Sequence, residues 1–114
     1  MTNQQQQLDR MFQALADGKR RAIIDRLSKS DAKVSDFAGQ LGVSLPTVLQ
    51  HLSVLEQAGL VSSRKVGRVR TCTLDTQALS RAEQWINERR NLWGRRLDAL
   101  GVLLETDTGE QTHD

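Results

Sequence analysis

The sequence predicts a mainly α-helical fold with one small β-hairpin, an α+β arrangement. Three observations lead there. In residues 43–60, Leu45, Val48, Leu49, Leu52 and Leu55 fall on one arc at about 100° per residue, and Thr47, Gln50, His51 and Val54 fall on the opposite arc. Past Leu60 the helical period gives way to two short extended runs, 61–66 and 69–74. From Thr76 to about residue 104 the helical period returns, with Leu79, Ile86, Trp93 and Leu100 spaced seven apart.

Taken in order, residues 1–7 are polar and glutamine-rich, and are expected to be disordered. Leu8, Met11, Phe12 and Leu15 mark a short amphipathic helix. Asp17 stands where an N-cap belongs for a second helix, 19–28, with Ala22, Ile23 and Leu27 turned inward. Residues 29–33 are polar and read as a loop. Val34, Phe37, Ala38 and Leu41 give a third helix that Gly42 ends. In the fourth helix Ser44 is the N-cap. Pro46 is tolerated because first-turn amides have no intrahelical partner, and Gly59 stops the helix by taking the left-handed cap conformation. Two short helices joined by Gly42-Val43-Ser44 have the layout of a helix-turn-helix, against the alternative of a plain helical hairpin.

The two extended runs flank Gly67-Arg68, and glycine first in a two-residue loop suits a type II′ turn. Arg64, Lys65, Arg68 and Arg70 crowd this hairpin, with no acid between Gln57 and Leu74. A cationic hairpin directly after a recognition-type helix is a wing, so the architecture expected is a winged helix-turn-helix. Asp75 caps the last helix, which at 1.5 Å per residue runs roughly 40 Å. That is too long for so small a body to cover. Its stripe, with Ala82 and Leu103 nearby, is expected to meet a second copy of the chain. The expected homodimer uses Leu8, Met11 and Phe12 of the first helix with Leu79, Ile86, Trp93, Leu97 and Leu100 of the last. Residues 105–114 are acidic and aperiodic and are expected to form a disordered tail, leaving residues 8–104 as the single domain.

Charge and composition narrow the function. The net charge is +2, but Glu105, Asp107, Glu110 and Asp114 sit in the tail; residues 1–104 carry sixteen bases against ten acids, a formal +6. A basic body suits a polyanion. The single Cys72 excludes an intrachain disulfide, and no apolar run approaches the ~20 residues of a membrane span. With no signal-peptide core, the expectation is a cytoplasmic, nucleoid-associated protein. There is no Gly-rich phosphate loop, no Ser-His-Asp set and no paired catalytic carboxylates, so neither an enzyme nor a cofactor is expected. No second histidine, cysteine or carboxylate stands at metal spacing around His51, so no metal site is expected.

The best partner is double-stranded DNA. Gln50 can bond adenine bidentately, Thr47 can meet a thymine methyl, and His51 lies beside them. Ser44 and Val48, the latter also counted in the core arc, complete the recognition-helix set. Arg64, Lys65, Arg68 and Arg70 reach phosphates or the minor groove from the wing. Lys19-Arg20-Arg21 opens a helix, where positive charge is unfavourable against the dipole. An external phosphate is therefore one reading, with Arg20 as the contact, and a solvated cluster is the other. Arg89, Arg90, Arg95 and Arg96 read as a solvated face, with Arg89 and Arg96 able to pair with Glu88 or Asp98 of a second copy. Cys72 runs in phase with Leu74 and should point into the core; a redox-responsive regulator through Cys72 is an alternative that requires exposure and a lowered pKa. A winged helix used only for protein–protein contact is the other alternative, though it leaves the cationic wing without a purpose.

The chain from Phe12 to Leu74 resembles the ArsR/SmtB-type winged helix-turn-helix repressors. The matching residues are Leu15-Ala16-Asp17-Gly18-Lys19-Arg20-Arg21 with Ile23 and Leu27, then Leu41-Gly42-Val43-Ser44. His51-Leu52-Ser53-Val54-Leu55-Glu56-Gln57-Ala58-Gly59-Leu60-Val61 and Gly67-Arg68-Val69-Arg70 with Leu74-Asp75 complete the set. The resemblance implies a bacterial or archaeal homodimer, joined through its first and last helices. It also implies recognition helices in successive major grooves of a pseudo-palindromic operator, and repression of its own or a neighbouring operon. Metal-sensing members carry a Cys-x-Cys pair where Phe37-Ala38-Gly39 stands here, or Asp, His and Glu ligands on the last helix. No histidine or cysteine lies between Thr73 and Thr112. The likeness is therefore to the metal-free branch, with a Trp-x3-Leu pattern at Trp93 and Leu97, and any small-molecule inducer is left unnamed.

Overall fold

The computed structural model describes residues 3–112, with side chains described for residues 3–106. The order is α1 (Gln4–Leu15), α2 (Gly18–Leu27), β1 (Ala32–Lys33), α3 (Val34–Leu41), α4 (Leu45–Gln57), β2 (Val61–Val66), β3 (Val69–Leu74) and α5 (Thr76–Thr112). The sequence of helices, hairpin and long helix is the one the periodicities predict. The strands form one antiparallel sheet in the order β1-β3-β2.

The expected caps are in place. Asp17 Oδ1 accepts from the amides of Lys19 at 2.9 Å and Arg20 at 3.1 Å. The Arg20 amide is the main reason its carboxyl is held below the usual carboxylate range. Ser44 Oγ accepts from the Thr47 amide at 3.4 Å, and Asp75 Oδ1 accepts from Gln77 and Ala78 at the head of α5. At the hairpin tip Gly67 has φ of 64°, and among the described residues no non-glycine residue has positive φ, Arg68 included, as a type II′ turn requires. Val66 pairs with Val69, which leaves the two-residue loop.

The chain divides at Ala82. The body up to that point is built on Met11, Ile23, Phe37, Val48, Leu55, Leu60 and Cys72, all fully buried. The rest of α5, from Glu83, forms the second unit. There Ile86, Trp93, Leu97 and Leu100 are exposed in the single chain. Arg89 lies over the Trp85 ring and also pairs with Glu88 at 3.2 Å, and Arg96 lies over the Trp93 ring.

Several expectations are corrected. Helix α1 starts at Gln4, capped by Asn3, inside the stretch read as a disordered leader. Helix α5 continues past residue 104 to Thr112, through most of the stretch read as a tail; residues 113 and 114 lie outside the described residues. Residues 32 and 33, read as loop, form β1, because Ala32 and Lys33 pair with Cys72 and Thr71. On α2 the inner face is Ile23, Ile24 and Leu27, with Ala22 exposed.

On α4 the buried stripe is narrower than the predicted arc: Val48, Leu52 and Leu55 are buried, while Leu45 and Leu49 are exposed. Val48 is therefore a core residue and cannot reach DNA. Met11 is likewise buried in its own chain's body and is removed from the dimer face. Leu79 is partly buried against the same core, so it begins the stripe as a contact within the chain.

Cys72 is buried on β3, where desolvation, then the negative charge of Glu56, pushes its thiol up to about 11. The redox alternative fails on this environment, since the thiolate is the reactive form. The unfolded chain releases this proton near its ordinary value, and the folded chain holds it to about 11. Stability from this group is therefore full below about pH 9 and is lost as pH rises from there. At about pH 8 the folded thiol should react with Ellman's reagent at least a hundredfold more slowly than the thiol of the denaturant-unfolded chain. Comparable rates would place Cys72 at the surface.

Candidate nucleic-acid interface

Helix α4 follows α3 through Gly42, whose φ of 66° takes the left-handed form that turns the chain. This geometry sets the α4 start outward and its Val48–Leu52–Leu55 stripe inward. Gln50 is exposed on the opposite side, with Thr47 and His51 half-buried beside it. The Thr47 hydroxyl is 3.0 Å from Ser44 Oγ, so the two hydroxyls order each other at the helix start. Among the described residues, Gln50 makes no side-chain hydrogen bond and is available to a ligand.

Strand pairing divides the wing cations between two faces. Lys65 lies opposite Arg70, and Ser63 opposite Cys72, so these four share the face turned toward the helices. Arg64 lies opposite Thr71 on the other face, beside Asp31, Ser62 and Thr73. Arg68 occupies the turn. A groove between the helix-turn-helix and the wing is lined by Lys33, Lys65, Arg68 and Arg70, with Val34, Leu45, Leu49 and Val69, and no acid lines it. Lys33 is not a residue that the sequence pattern singles out. It reaches the groove only because β1 exists, and a two-residue strand has no period to read.

Three arginines have other partners. Arg70 Nε donates to Ser63 Oγ at 2.9 Å, and its guanidinium is 3.8 Å from Glu56, which accepts from the Ser63 hydroxyl. Arg70 thus ties the wing base to the end of α4 and is only partly available to phosphate. Arg20 donates to the carbonyls of Ala14 at 2.7 Å and Gln13 at 3.1 Å, and Arg21 donates to Leu15 O at 2.7 Å. The positive charges that oppose the α2 dipole therefore satisfy the free carbonyls, and the negative dipole end, of α1. Arg20 also comes within 3.5 Å of His51 Nδ1.

Among the described residues no three His, Cys, Asp or Glu side chains cluster to hold a metal ion, and no helix is long and apolar enough to cross a membrane.

A helix-turn-helix with an outward polar recognition face and a cationic wing defines a winged-helix regulator. Residues 17–63 match the family described as bacterial regulatory protein, arsR family. The chain is 39% identical over 104 residues to the HTH-type transcriptional regulator Rv2034 of Mycobacterium tuberculosis, covering 91% of this chain and 94% of that one. It is 30% identical to the transcriptional repressor SdpR of Bacillus subtilis, covering 69% of this chain and 88% of the relative. Among solved structures, the ArsR family transcriptional regulator RHA00566 matches with a TM-score of 0.76 and 39% identity, over 82% of this chain and 97% of that one. The homodimeric winged helix-turn-helix DNA-binding domain Mb0332 of Mycobacterium bovis matches with a TM-score of 0.61 and 28% identity, over 75% and 82%. The chain belongs to the ArsR family; it is a DNA-binding transcriptional regulator and not an enzyme.

Proposed function

We propose that the chain acts as a homodimeric repressor in the cytoplasm, at the nucleoid, bound to a pseudo-palindromic operator in its own or a neighbouring operon. The observation that carries this reading is the exposed Gln50 edge of α4 beside an acid-free groove lined by Lys33, Lys65, Arg68 and Arg70. Gln50, Thr47 and His51 read base edges in the major groove, with Ser44 holding the helix start. Lys33, Lys65 and Arg68 hold the phosphate backbone that runs between recognition helix and wing, and Arg64 adds charge from the other wing face. Dimerisation runs through the exposed apolar residues of α5, Ile86, Trp93, Leu97 and Leu100, with Phe12 and Leu8 of α1. The homodimeric state of Mb0332 supports this assembly, and SdpR supports repression.

Footprinting on DNA upstream of the chain's own gene and of the neighbouring operons tests the reading. Protection is expected at two half-sites about one helical turn apart, together with a fall in transcription from that promoter in vitro. The absence of protection in all of these regions at protein concentrations that give the dimer overturns it. Any inducer is expected to be metal-free, so the same titration with stoichiometric zinc, arsenite or copper should keep its midpoint. A tenfold loss of affinity would reveal a metal site.

A further inference from the structure

We infer that Arg20 fixes the tautomer of His51 and so makes His51 an obligatory hydrogen-bond donor to DNA, reading an acceptor. The inference rests on α4 facing DNA as proposed above. A guanidinium carries five N–H donors and no acceptor. The Arg20 guanidinium is held at two points on the last turn of α1, Nε on Ala14 O at 2.7 Å and Nη2 on Gln13 O at 3.1 Å. The remaining Nη1 lies 3.5 Å from His51 Nδ1. The contact is long, but chemistry decides its sense. A proton on Nδ1 would set donor against donor, so Nδ1 bears the lone pair and the neutral ring carries its proton on Nε2. Among the described residues Nε2 has no protein partner. His51 therefore offers a donor to what lies outside α4, one position from the exposed Gln50. In DNA the matching acceptors are purine N7, guanine O6, thymine O4 and phosphate oxygens, whereas the amino groups of adenine and cytosine would face it as donors. Arg20 acts here as a positioning residue, linking the end of α1 to the reading edge of α4.

The first test is independent of DNA. In full-length nitrogen-15-labelled protein carrying H113Q, at a pH above which the imidazole signals no longer change, Nδ1 should resonate as the unprotonated nitrogen and Nε2 as the protonated one. In R20M, with folding checked by circular dichroism, the two shifts should move toward a mixture of tautomers. Nδ1 found protonated in the wild type overturns the inference, and so do shifts unchanged in R20M.

The second test uses the duplex that the wild-type protein selects from a random pool. A glutamine amide can stand where Nε2 stands, and an asparagine amide only where Nδ1 stands. H51Q should hold affinity within about threefold, while H51N loses about tenfold; the reverse order overturns the inference. Duplexes with single 7-deazapurines or single methylphosphonates locate the acceptor. A tenfold loss for wild type that vanishes in H51A at a 7-deazapurine assigns purine N7; the same coupling at a methylphosphonate assigns a phosphate oxygen. Coupling at neither, and none at single 6-thioguanine or 4-thiothymine substitutions that replace guanine O6 or thymine O4, with Gln50→Ala still impaired, overturns the donor role alone. If Gln50→Ala and Arg68→Ala are also neutral, the DNA face itself has been misassigned, and the nitrogen-15 result is untouched.

Discussion

Replacing Trp93 with glutamate is expected to turn the dimer into a monomer. In the single chain Ile86, Trp93, Leu97 and Leu100 are 46%, 56%, 47% and 52% exposed, a run of large apolar side chains along α5. An apolar helix face of this kind is a seam for a second helix. A closed two-fold dimer uses the same patch on both copies, so each change acts twice. Burying about 100 Å² more of each indole contributes roughly 2–3 kcal/mol at ~25 cal/mol/Å². The glutamate removes that and adds a carboxylate that the seam would have to desolvate. Arg96, which lies over the Trp93 ring at 5.6 Å, is the base one turn away. An exposed helical pair of this spacing is worth only a few tenths of a kcal/mol and does not offset the loss. The dimer dissociation constant should rise at least a thousandfold, about 4 kcal/mol, while Trp93→Phe keeps most of the assembly. Sedimentation velocity at micromolar protein decides it. A monomeric wild type refutes the dimer, and a dimeric Trp93→Glu variant moves the interface off this face.

Features set by a few neighbouring residues were legible in the sequence. Ser44, Asp17 and Asp75 cap helices because hydroxyl and carboxylate oxygens reach amides two or three residues on, and Gly67 turns the hairpin because only glycine takes its φ cheaply. Features set by distant partners were not. Strand β1 is two residues long and exists through its pairing with Cys72 and Thr71, so Lys33 looked like a loop residue. The cationic clusters showed their charge but not their acceptors. Arg20 turns to carbonyls at the end of α1, and Arg70 to Ser63 and Glu56. Val48 stands next to Thr47 in the chain, yet one is fully buried and the other half-buried, because a residue at the edge of an arc is decided by what packs on it. The exposed α5 stripe was legible for the opposite reason: a strict seven-residue spacing is itself the periodicity of a helix seam.

Gln50→Ala and Arg68→Ala are expected to weaken DNA binding in different ways. Gln50 lies on the exposed edge of α4 near its N-terminal turns, where a recognition helix meets base edges. Its amide can donate and accept at once, which matches adenine N7 and N6. Losing it should cost roughly 1–3 kcal/mol per half-site on the preferred duplex and little on scrambled DNA. Arg68 sits at the wing turn on the acid-free groove, among the described residues with no ion pair of its own. A guanidinium there meets phosphate oxygens, which are the same on every sequence. Arg68→Ala should weaken operator and scrambled duplexes nearly equally. It should also flatten log K against log salt by about one unit for each phosphate left without its guanidinium, about two for the dimer. Arg70, braced by Ser63 and Glu56, should show a smaller salt effect than Arg68. Anisotropy titrations of these proteins at several salt concentrations separate the cases. If Gln50→Ala weakens both duplexes alike while Arg68→Ala acts only on the operator, the wing is the sequence reader and α4 the electrostatic anchor. If neither change alters binding, DNA lies against another face.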